Sequence, residues 1–150
     1  MALLNIEDIR IEFPSRRGTL VAVDGVSLSL EKGEILGVVG ESGAGKSTIG
    51  NAVIGLLEAP GRLAGGAVLL NGERIDTLTP AQQRKVRGRR IGMIFQDPLT
   101  SLDPLQTVES QLVETMLVHL DLTHDAAKKR AVQLLSLIHI SEPTRRRGIS

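Results

Sequence analysis

The stretch that decides the fold is short and rich in glycine: Gly40-Glu41-Ser42-Gly43-Ala44-Gly45-Lys46-Ser47. It fits the pattern G-x-x-x-x-G-K-[ST]. Just before it, the continuous apolar run Ile35–Val39 predicts a parallel strand buried on both faces. Just after it, the apolar residues between Ile49 and Leu57 recur at the spacing of one helical face, and Ala59-Pro60-Gly61 is predicted to end that helix. The motif therefore has the strand before it and the helix after it that its chemistry requires.

The loop has the chemistry of a site for a dense polyanion. Successive backbone N–H groups in such a loop can surround phosphate oxygens, and glycines let the backbone approach them closely. The following helix adds unsatisfied N–H groups and the positive end of its dipole. Lys46 is predicted to contact the β- and γ-phosphates, the Ser47 hydroxyl to bind Mg²⁺, and Thr48 to reach the α-phosphate. The alternative, a glycine-rich turn with an exposed lysine, does not explain the strand and helix around it. The predicted nucleotide-binding residues are Gly40, Glu41, Ser42, Gly43, Ala44, Gly45, Lys46, Ser47 and Thr48.

A second stretch of the sequence, together with the loop, resembles a known protein family. Ile91–Pro98 resembles the Q-loop of the ATP-binding subunits of ABC transporters, as Gly40–Thr48 resembles their phosphate loop. The segment Phe95–Pro104 is moreover similar to the dipeptide and oligopeptide importer branch of that family. The resemblance runs from about Asn5 to Leu134.

The resemblance implies a fold and two further site residues. The fold would be an α/β P-loop NTPase of the ABC type with an antiparallel β subdomain, incomplete at its C-terminal side. Gln96 would act catalytically with Lys46, touching Mg²⁺ and the attacking water through a neutral amide that both accepts and donates. Phe13 would stack on adenine; packing in the first strand is the equally open alternative.

The resemblance also implies a function and its partners. The intact protein would hydrolyse ATP to energise import of peptides or related small solutes, at the cytoplasmic face of the inner membrane. Its partners would be a second ATP-binding subunit, membrane permease subunits and an extracytoplasmic solute-binding protein, and no nucleic acid. Two alternatives stay open: a non-transport ABC ATPase of DNA repair or translation, and a nucleotide-binding fragment without activity.

Other patterns predict the elements around these motifs. Ile9–Phe13 and Val26–Leu30 alternate like half-buried strands, with a loop at Pro14–Gly18 between them. Asn71-Gly72 predicts a tight hairpin turn, and Thr79-Pro80-Ala81-Gln82 predicts a capped helix start. The remaining predicted segments are a second apolar run at Ile91–Phe95, a loop at Gln96–Pro104 and helices at Thr107–Leu120 and Asp125–Leu134.

Composition excludes several classes of site. With 150 residues the chain is predicted to form one domain at most, and without cysteine it has no disulfide or thiolate chemistry. Two phenylalanines are its only aromatic residues, which argues against a surface that stacks RNA bases. The basic cluster Arg84–Arg90 is accordingly predicted to be a solvated helix face rather than a nucleic-acid patch. His119 and His124 are predicted to be surface histidines.

The last residues differ in kind from the rest. Residues 135–145 match the translation of a transposase-type sequencing-library adapter, and residues 146–148 would span its variable index, with Ile149-Ser150 as the constant stretch beyond. We therefore expect residues 1–134 to be the N-terminal part of an ABC-type ATP-binding domain and residues 135–150 to be an artefact tail; a genuine amphipathic helix ending at Pro143 is the alternative. The family's Walker B, signature and switch-histidine motifs are not found in the sequence, so we expect this chain to lack ATPase turnover and to be prone to aggregation.

Overall fold

Alternating apolar residues build a four-stranded antiparallel sheet in the computed structural model, which describes residues 2–96 and 101–139. The strand order is β2-β1-β3-β4, so that β1 pairs with both β2 and β3. The strands are β1 (Leu4–Ser15), β2 (Gly18–Leu30), β3 (Arg62–Leu70) and β4 (Glu73–Arg74). β1 and β2 are longer than predicted, and the predicted loop Pro14–Gly18 is reduced to a tight turn at Arg16-Arg17.

The sheet and two short helices, α1 (Lys46–Val53) and α2 (Pro80–Val86), share one core within the unit Met1–Gly92. Ile9, Ile11 and Val68 supply its most buried side chains from the sheet. Ala52 from α1 and Val86 from α2 join the same cluster. Burial of branched apolar side chains is what stabilises so small a sheet.

β1 contains an extra residue at Asp8. Ile6 and Ile9 are both buried although they are three positions apart, so the alternation of the strand changes phase between them. The pairing of β1 shifts register here against both neighbours, and Asp8 has a positive φ of 47°. Gly66 in β3 passes so close that an added Cβ would clash with the Glu7 carbonyl oxygen. This bulge therefore requires glycine on the adjacent strand.

α1 ends earlier than the sequence predicts. The Gly55 N–H donates to Ala52 O and the Leu56 N–H donates to Asn51 O, while Gly55 has φ 66°. This is the Schellman arrangement, in which a left-handed glycine closes a helix. The prediction that Ala59-Pro60-Gly61 ends the helix is therefore wrong.

The predicted buried strand Ile35–Val39 is not a strand in the structure. Within the described residues no strand pairs with it, and Ile35 and Val39 are 97% and 94% exposed. A strand exists only through hydrogen bonds to a neighbour, and the antiparallel sheet offers none to this segment. The apolar pattern alone could not reveal that the partner strand is missing.

Two local predictions are confirmed. Asn71 and Gly72 have φ values of 52° and 80° and form the turn of the β3–β4 hairpin. Thr79 caps α2: its hydroxyl accepts from Gln82 N–H, and the Gln82 side chain accepts from Thr79 N–H at 2.9 Å. Both features depend only on neighbouring residues, so they are specified locally.

The second unit, Met93–Ser150, contains a pair of helices, α3 (Val108–His119) and α4 (His124–His139). Val113 and Met116 of α3 pack on two buried alanines of α4. Thr107 caps α3 by accepting from Ser110 N–H at 3.1 Å, as the predicted span Thr107–Leu120 implies. α4 continues past the predicted end at Leu134 as far as His139. Of the predicted loop Gln96–Pro104, residues 97–100 lie outside the described part of the chain.

Candidate phosphate-binding site

The glycine-rich segment forms an exposed loop that leads directly into α1. Gly43 and Gly45 have φ values of 82° and 84°, a left-handed backbone that glycine adopts without strain. The Ala44 N–H donates to Glu41 O at 3.2 Å and closes a turn inside the loop. These glycines thus allow the backbone to curl back on itself before the helix begins.

Gly45 also anchors the loop to the sheet. An added Cβ would lie 3.0 Å from both the carbonyl oxygen of Ala22 and Cγ2 of Val23 in β2. The end of the loop is therefore packed on the middle of β2, and the absence of a side chain is required for that approach. A Cβ on Gly43 would meet nothing within 4 Å, so its requirement for glycine is one of backbone conformation alone.

Lys46, the first residue of α1, folds back over the loop. Its Nζ donates to Gly40 O at 2.7 Å and to Glu41 O at 2.6 Å. An ammonium group has three donors, so one remains for an anion held by the loop. The lysine is half-buried, which places its charge at the loop rather than out in solvent.

The N-terminus of α1 adds further donors. The first helical hydrogen bond runs from Ile49 N–H to Gly45 O. Within the described residues the N–H groups of Lys46, Ser47 and Thr48 have no partner, no side chain caps the helix, and its first turn carries no acidic residue. Free N–H groups at the positive end of a helix dipole favour an anion.

The hydroxyl groups beside this helix start are also available. Ser47 is exposed and Thr48 half-buried, and neither side chain makes a hydrogen bond with the described residues. In the described residues no group of three or more acidic or histidine side chains could hold a metal ion. A divalent cation at this site would be held by the Ser47 hydroxyl together with oxygen ligands from phosphate and water. Such a donor set fits Mg²⁺ bound together with a nucleotide.

Phe13 lies near the end of β1, opposite Leu20 of β2. Its ring packs against the core, and its edge approaches Gly61 so closely that a Cβ there would lie 2.6 Å from Cε1. The ring is half-buried. Its packing contacts are thus described, and its predicted role on adenine stays a prediction.

Gln96 belongs to the second unit and is exposed at the edge of the described residues. It lies outside any helix or strand, as expected of a loop residue. Its predicted contact with Mg²⁺ and water stays a prediction.

The basic cluster is only partly the solvated face that the sequence predicts. Arg84 and Lys85 are exposed on α2, but the helix ends at Val86. Arg90 forms an ion pair with Glu73 at 2.6 Å. Arg87 is half-buried, and its Nε is buried without a hydrogen-bond partner within the described residues. For Arg87 the prediction is therefore wrong, because the side chain turns inward at the helix end.

Among the described residues, no helix is both long and apolar enough to cross a membrane. The longest helix, α4, has 16 residues and carries several charged side chains.

Comparison with known proteins agrees with this geometry. The chain is 43% identical over 145 residues to the oligopeptide transport ATP-binding protein OppD of Bacillus subtilis (strain 168), covering 96% of this chain and 40% of that protein. It is 38% identical over 146 residues to the dipeptide transport ATP-binding protein DppD of Escherichia coli (strain K12), covering 97% of this chain and 45% of that protein. The chain thus spans less than half the length of these curated relatives.

Solved structures support the fold. The chain superposes on the dimeric ATP-binding cassette MJ0796 in a post-hydrolysis state bound to ADP and Pi, with a TM-score of 0.79 and 23% identity. That match covers 93% of this chain and 58% of the solved one. The fold is accordingly that of part of an ABC-type P-loop ATPase. A sequence model described as ABC transporter matches residues 23–149, and the chain belongs to this family.

Proposed function

We propose that the complete protein is the ATP-binding subunit of an importer for peptides or related small solutes. The observation that carries this proposal is the phosphate loop Gly40–Thr48, in which the Lys46 ammonium and unpaired N–H groups converge at the start of α1. The relatives named above are ATP-binding proteins of oligopeptide and dipeptide transport, which supports the substrate class.

The proposal assigns a role to the first three residues of α1 and to Phe13. The N–H groups of Lys46, Ser47 and Thr48 donate to phosphate oxygens, and the third donor of Lys46 neutralises the β- and γ-phosphates. The Ser47 hydroxyl ligates Mg²⁺, which when bound withdraws charge from the phosphates. Phe13 stacks on the adenine ring.

Hydrolysis and transport require more than this loop. We propose that Gln96 orients the attacking water, since its amide can accept from water and donate elsewhere without a charge to desolvate. Two ATP-binding subunits would close on ATP and move permease subunits, with the protein held at the cytoplasmic face of the inner membrane. An extracytoplasmic solute-binding protein would deliver the solute. Copurification of the complete protein with permease subunits tests this assembly against a non-transport ATPase.

Binding of nucleotide to the chain itself is the first experiment. We expect Mg²⁺ and a fluorescent ATP analogue to bind, and Lys46→Ala to weaken binding at least tenfold, because a charge-assisted hydrogen bond is worth about 1.5–3 kcal/mol. The matched control is Lys32→Ala, which removes an exposed lysine from the turn after β2. Equal affinity of Lys46→Ala and the unchanged chain would overturn the proposal.

A further inference from the structure

The C-terminal end of the phosphate-loop helix α1 is held by two side chains from α2 and the residue after it. The Arg87 guanidinium Nη2 lies 3.5 Å from Gly55 O and 3.1 Å from Gln83 Oε1. The first of these hydrogen bonds is long, and the second has ordinary length. Together they place one guanidinium group between the end of α1 and the end of α2.

Gly55 is fitted to this contact. An ideal Cβ on Gly55 would lie 2.6 Å from Nε2 and 2.7 Å from Oε1 of Gln83, so the amide of Gln83 lies directly over the Cα of Gly55. Gly55 also has φ 66°, which side chains other than glycine rarely adopt. The backbone therefore requires glycine at this position, and any larger residue would also displace the Gln83 amide.

The burial of Arg87 has a cost that the neighbouring basic residues avoid. Its Nε is buried without a hydrogen-bond partner in the described part of the chain, in a cleft whose apolar lining includes Val53 and Ile91. An unpaired buried donor costs about 1–3 kcal/mol. Arg84, one turn earlier, remains in solvent. Buried polar groups usually have a hydrogen-bond partner, so a functional constraint is expected at a position where one lacks it.

The segment after Arg87 is a tight turn with its own hydrogen bonds. The Gly88 N–H donates to Ile91 O at 2.9 Å, and the Arg90 N–H donates to Val86 O at 2.8 Å. Ile91 is the residue from which the chain runs on to Gln96. A contact that holds the turn at residues 87–91 therefore also holds the start of that segment.

We propose that Arg87 is a positioning residue that links the phosphate-loop helix to the turn at residues 87–91. α1 has eight residues and is about 12 Å long, so it acts as a short rigid rod with the phosphate loop at one end and Gly55 at the other. Nucleotide bound at its N-terminus shifts or steadies α1, and Arg87 transmits this to residues 88–91. The identity of the nucleotide as ATP rests on the proposed function; the link itself does not.

The first test needs no nucleotide. In hydrogen–deuterium exchange on the 150-residue chain, Arg87→Gln is expected to speed exchange at the Gly55 and Leu56 amides and at the Gly88 and Ile91 amides by roughly fivefold. The amides paired in β1 are expected to keep their rates, which separates loss of this contact from general destabilisation. The matched control, Arg84→Gln, removes an exposed arginine of α2 and should change neither set. Unchanged exchange at Gly55 and Leu56 in Arg87→Gln would overturn the link.

The second test adds Mg²⁺ and ATP. In the unchanged chain ATP is expected to slow exchange both at residues 45–49 and at residues 88–91. In Arg87→Gln the slowing at residues 45–49 should persist and that at residues 88–91 should disappear. Slowing at residues 88–91 that survives in Arg87→Gln contradicts transmission through Arg87. Absence of any slowing in the unchanged chain contradicts the proposed function instead, and the first test still decides the link.

A conservative variant separates the charge of Arg87 from the shape of its guanidinium group. Arg87→Lys keeps the charge, but one ammonium group lacks the planar fork that spans Gly55 O and Gln83 Oε1. We expect Arg87→Lys to behave like Arg87→Gln in both tests. If it behaves like the unchanged chain, charge alone is sufficient and the positioning role is wrong.

Discussion

Gly45 meets two requirements at once, a left-handed backbone and a close approach to β2, whereas Gly43 meets only the first. A left-handed conformation costs an ordinary residue about 1–2 kcal/mol. The 3.0 Å contacts with Ala22 and Val23 add steric strain at Gly45 only. The two glycines of one loop therefore allow the contributions of conformation and packing to be separated.

We expect Gly43→Ala to lower the free energy of unfolding by about 1–2 kcal/mol and Gly45→Ala to lower it by more. Urea denaturation of the two variants checks this. Equal losses would show that the loop does not press on β2. Titration with a fluorescent ATP analogue should then show weaker binding in Gly45→Ala, since the loop can no longer reach its place beside β2.

Asp76 gives the β3–β4 hairpin a pH dependence. Burial of its carboxylate favours the neutral form, but hydrogen bonds from Arg74, from Val68 N–H and from its own N–H, together with the charge of Arg74, outweigh burial and lower the pKa of Asp76. A carboxyl group with a lowered pKa stabilises the fold above its unfolded pKa, about 3.9. That stabilisation is lost as the pH falls through the folded value.

Asp76→Asn is therefore expected to destabilise the chain at pH 7 by about 1–2 kcal/mol, because it removes the charged partner of Arg74. At pH 3 and below the difference from the unchanged chain should shrink. Urea midpoints at the two pH values measure it. A difference that stays constant with pH would mean that Asp76 is not ionised with a lowered pKa in the folded state.

At the scale of elements, α2 depends on its cap. The capping box between Thr79 and Gln82 satisfies donors at the start of a helix of seven residues. We expect Thr79→Ala to cost about 1 kcal/mol of stability. Thr77→Ala, at an exposed position just before the helix, should cost little. Thermal unfolding of both variants provides the comparison, and equal effects would contradict a role for the cap.

The sequence predicts the elements that depend on neighbouring residues. It does not predict features that depend on contacts with residues distant in the chain. The Asn71-Gly72 turn, the Thr79 cap and the start of α1 follow from local backbone chemistry, and all three are found in the structure. The end of α1 at Gly55 carries only a weak local signal, because the apolar spacing continues past this glycine to Leu57 and the stronger helix-ending signal in the sequence is Ala59-Pro60-Gly61. The strand expected at Ile35–Val39 failed because pairing depends on residues that the pattern itself does not contain.

The candidate site divides in the same way. The conformation of the glycine-rich loop and its position before α1 were predictable because eight consecutive residues specify them. Two other features depend on the sheet and on α2, and no spacing rule reveals them: the contact of Gly45 with β2 and the inward turn of Arg87. A phase change between Ile6 and Ile9 was the one sequence sign of the bulge.

At the scale of the whole molecule, we expect the chain to bind ATP without turning it over. The phosphate loop supplies positive charge and hydrogen-bond donors, but hydrolysis also needs groups that hold Mg²⁺ and position water. Ser47 and Gln96 are proposed to supply part of this, and we propose that the remaining groups belong to the part of the complete protein that this chain does not span, since it covers less than half the length of its curated relatives. Phosphate release should stay at background. Release that disappears in Lys46→Ala would show that the chain is itself an ATPase.

The tail is tested at the level of DNA. We propose that residues 135–150 derive from a sequencing adapter, and in that case the codons for residues 135–145 are those of the adapter. Sequencing of the encoding DNA and of the genomic reading frame settles it. Different codons would make the continuation of α4 to His139 part of the native protein.

The exposed segment Ile35–Val39 has a consequence for affinity. This segment leads into the phosphate loop, and no strand among the described residues pairs with it, whereas α1 and β2 hold the other end of the loop. Binding a nucleotide must then restrict the backbone torsion angles of Ile35–Val39. Each restricted residue reduces the free energy gained on binding by about 1–2 kcal/mol. In a longer polypeptide in which these five residues pair with a neighbouring strand, folding has already restricted their torsion angles. Such a polypeptide should bind the same nucleotide more tightly and release it more slowly.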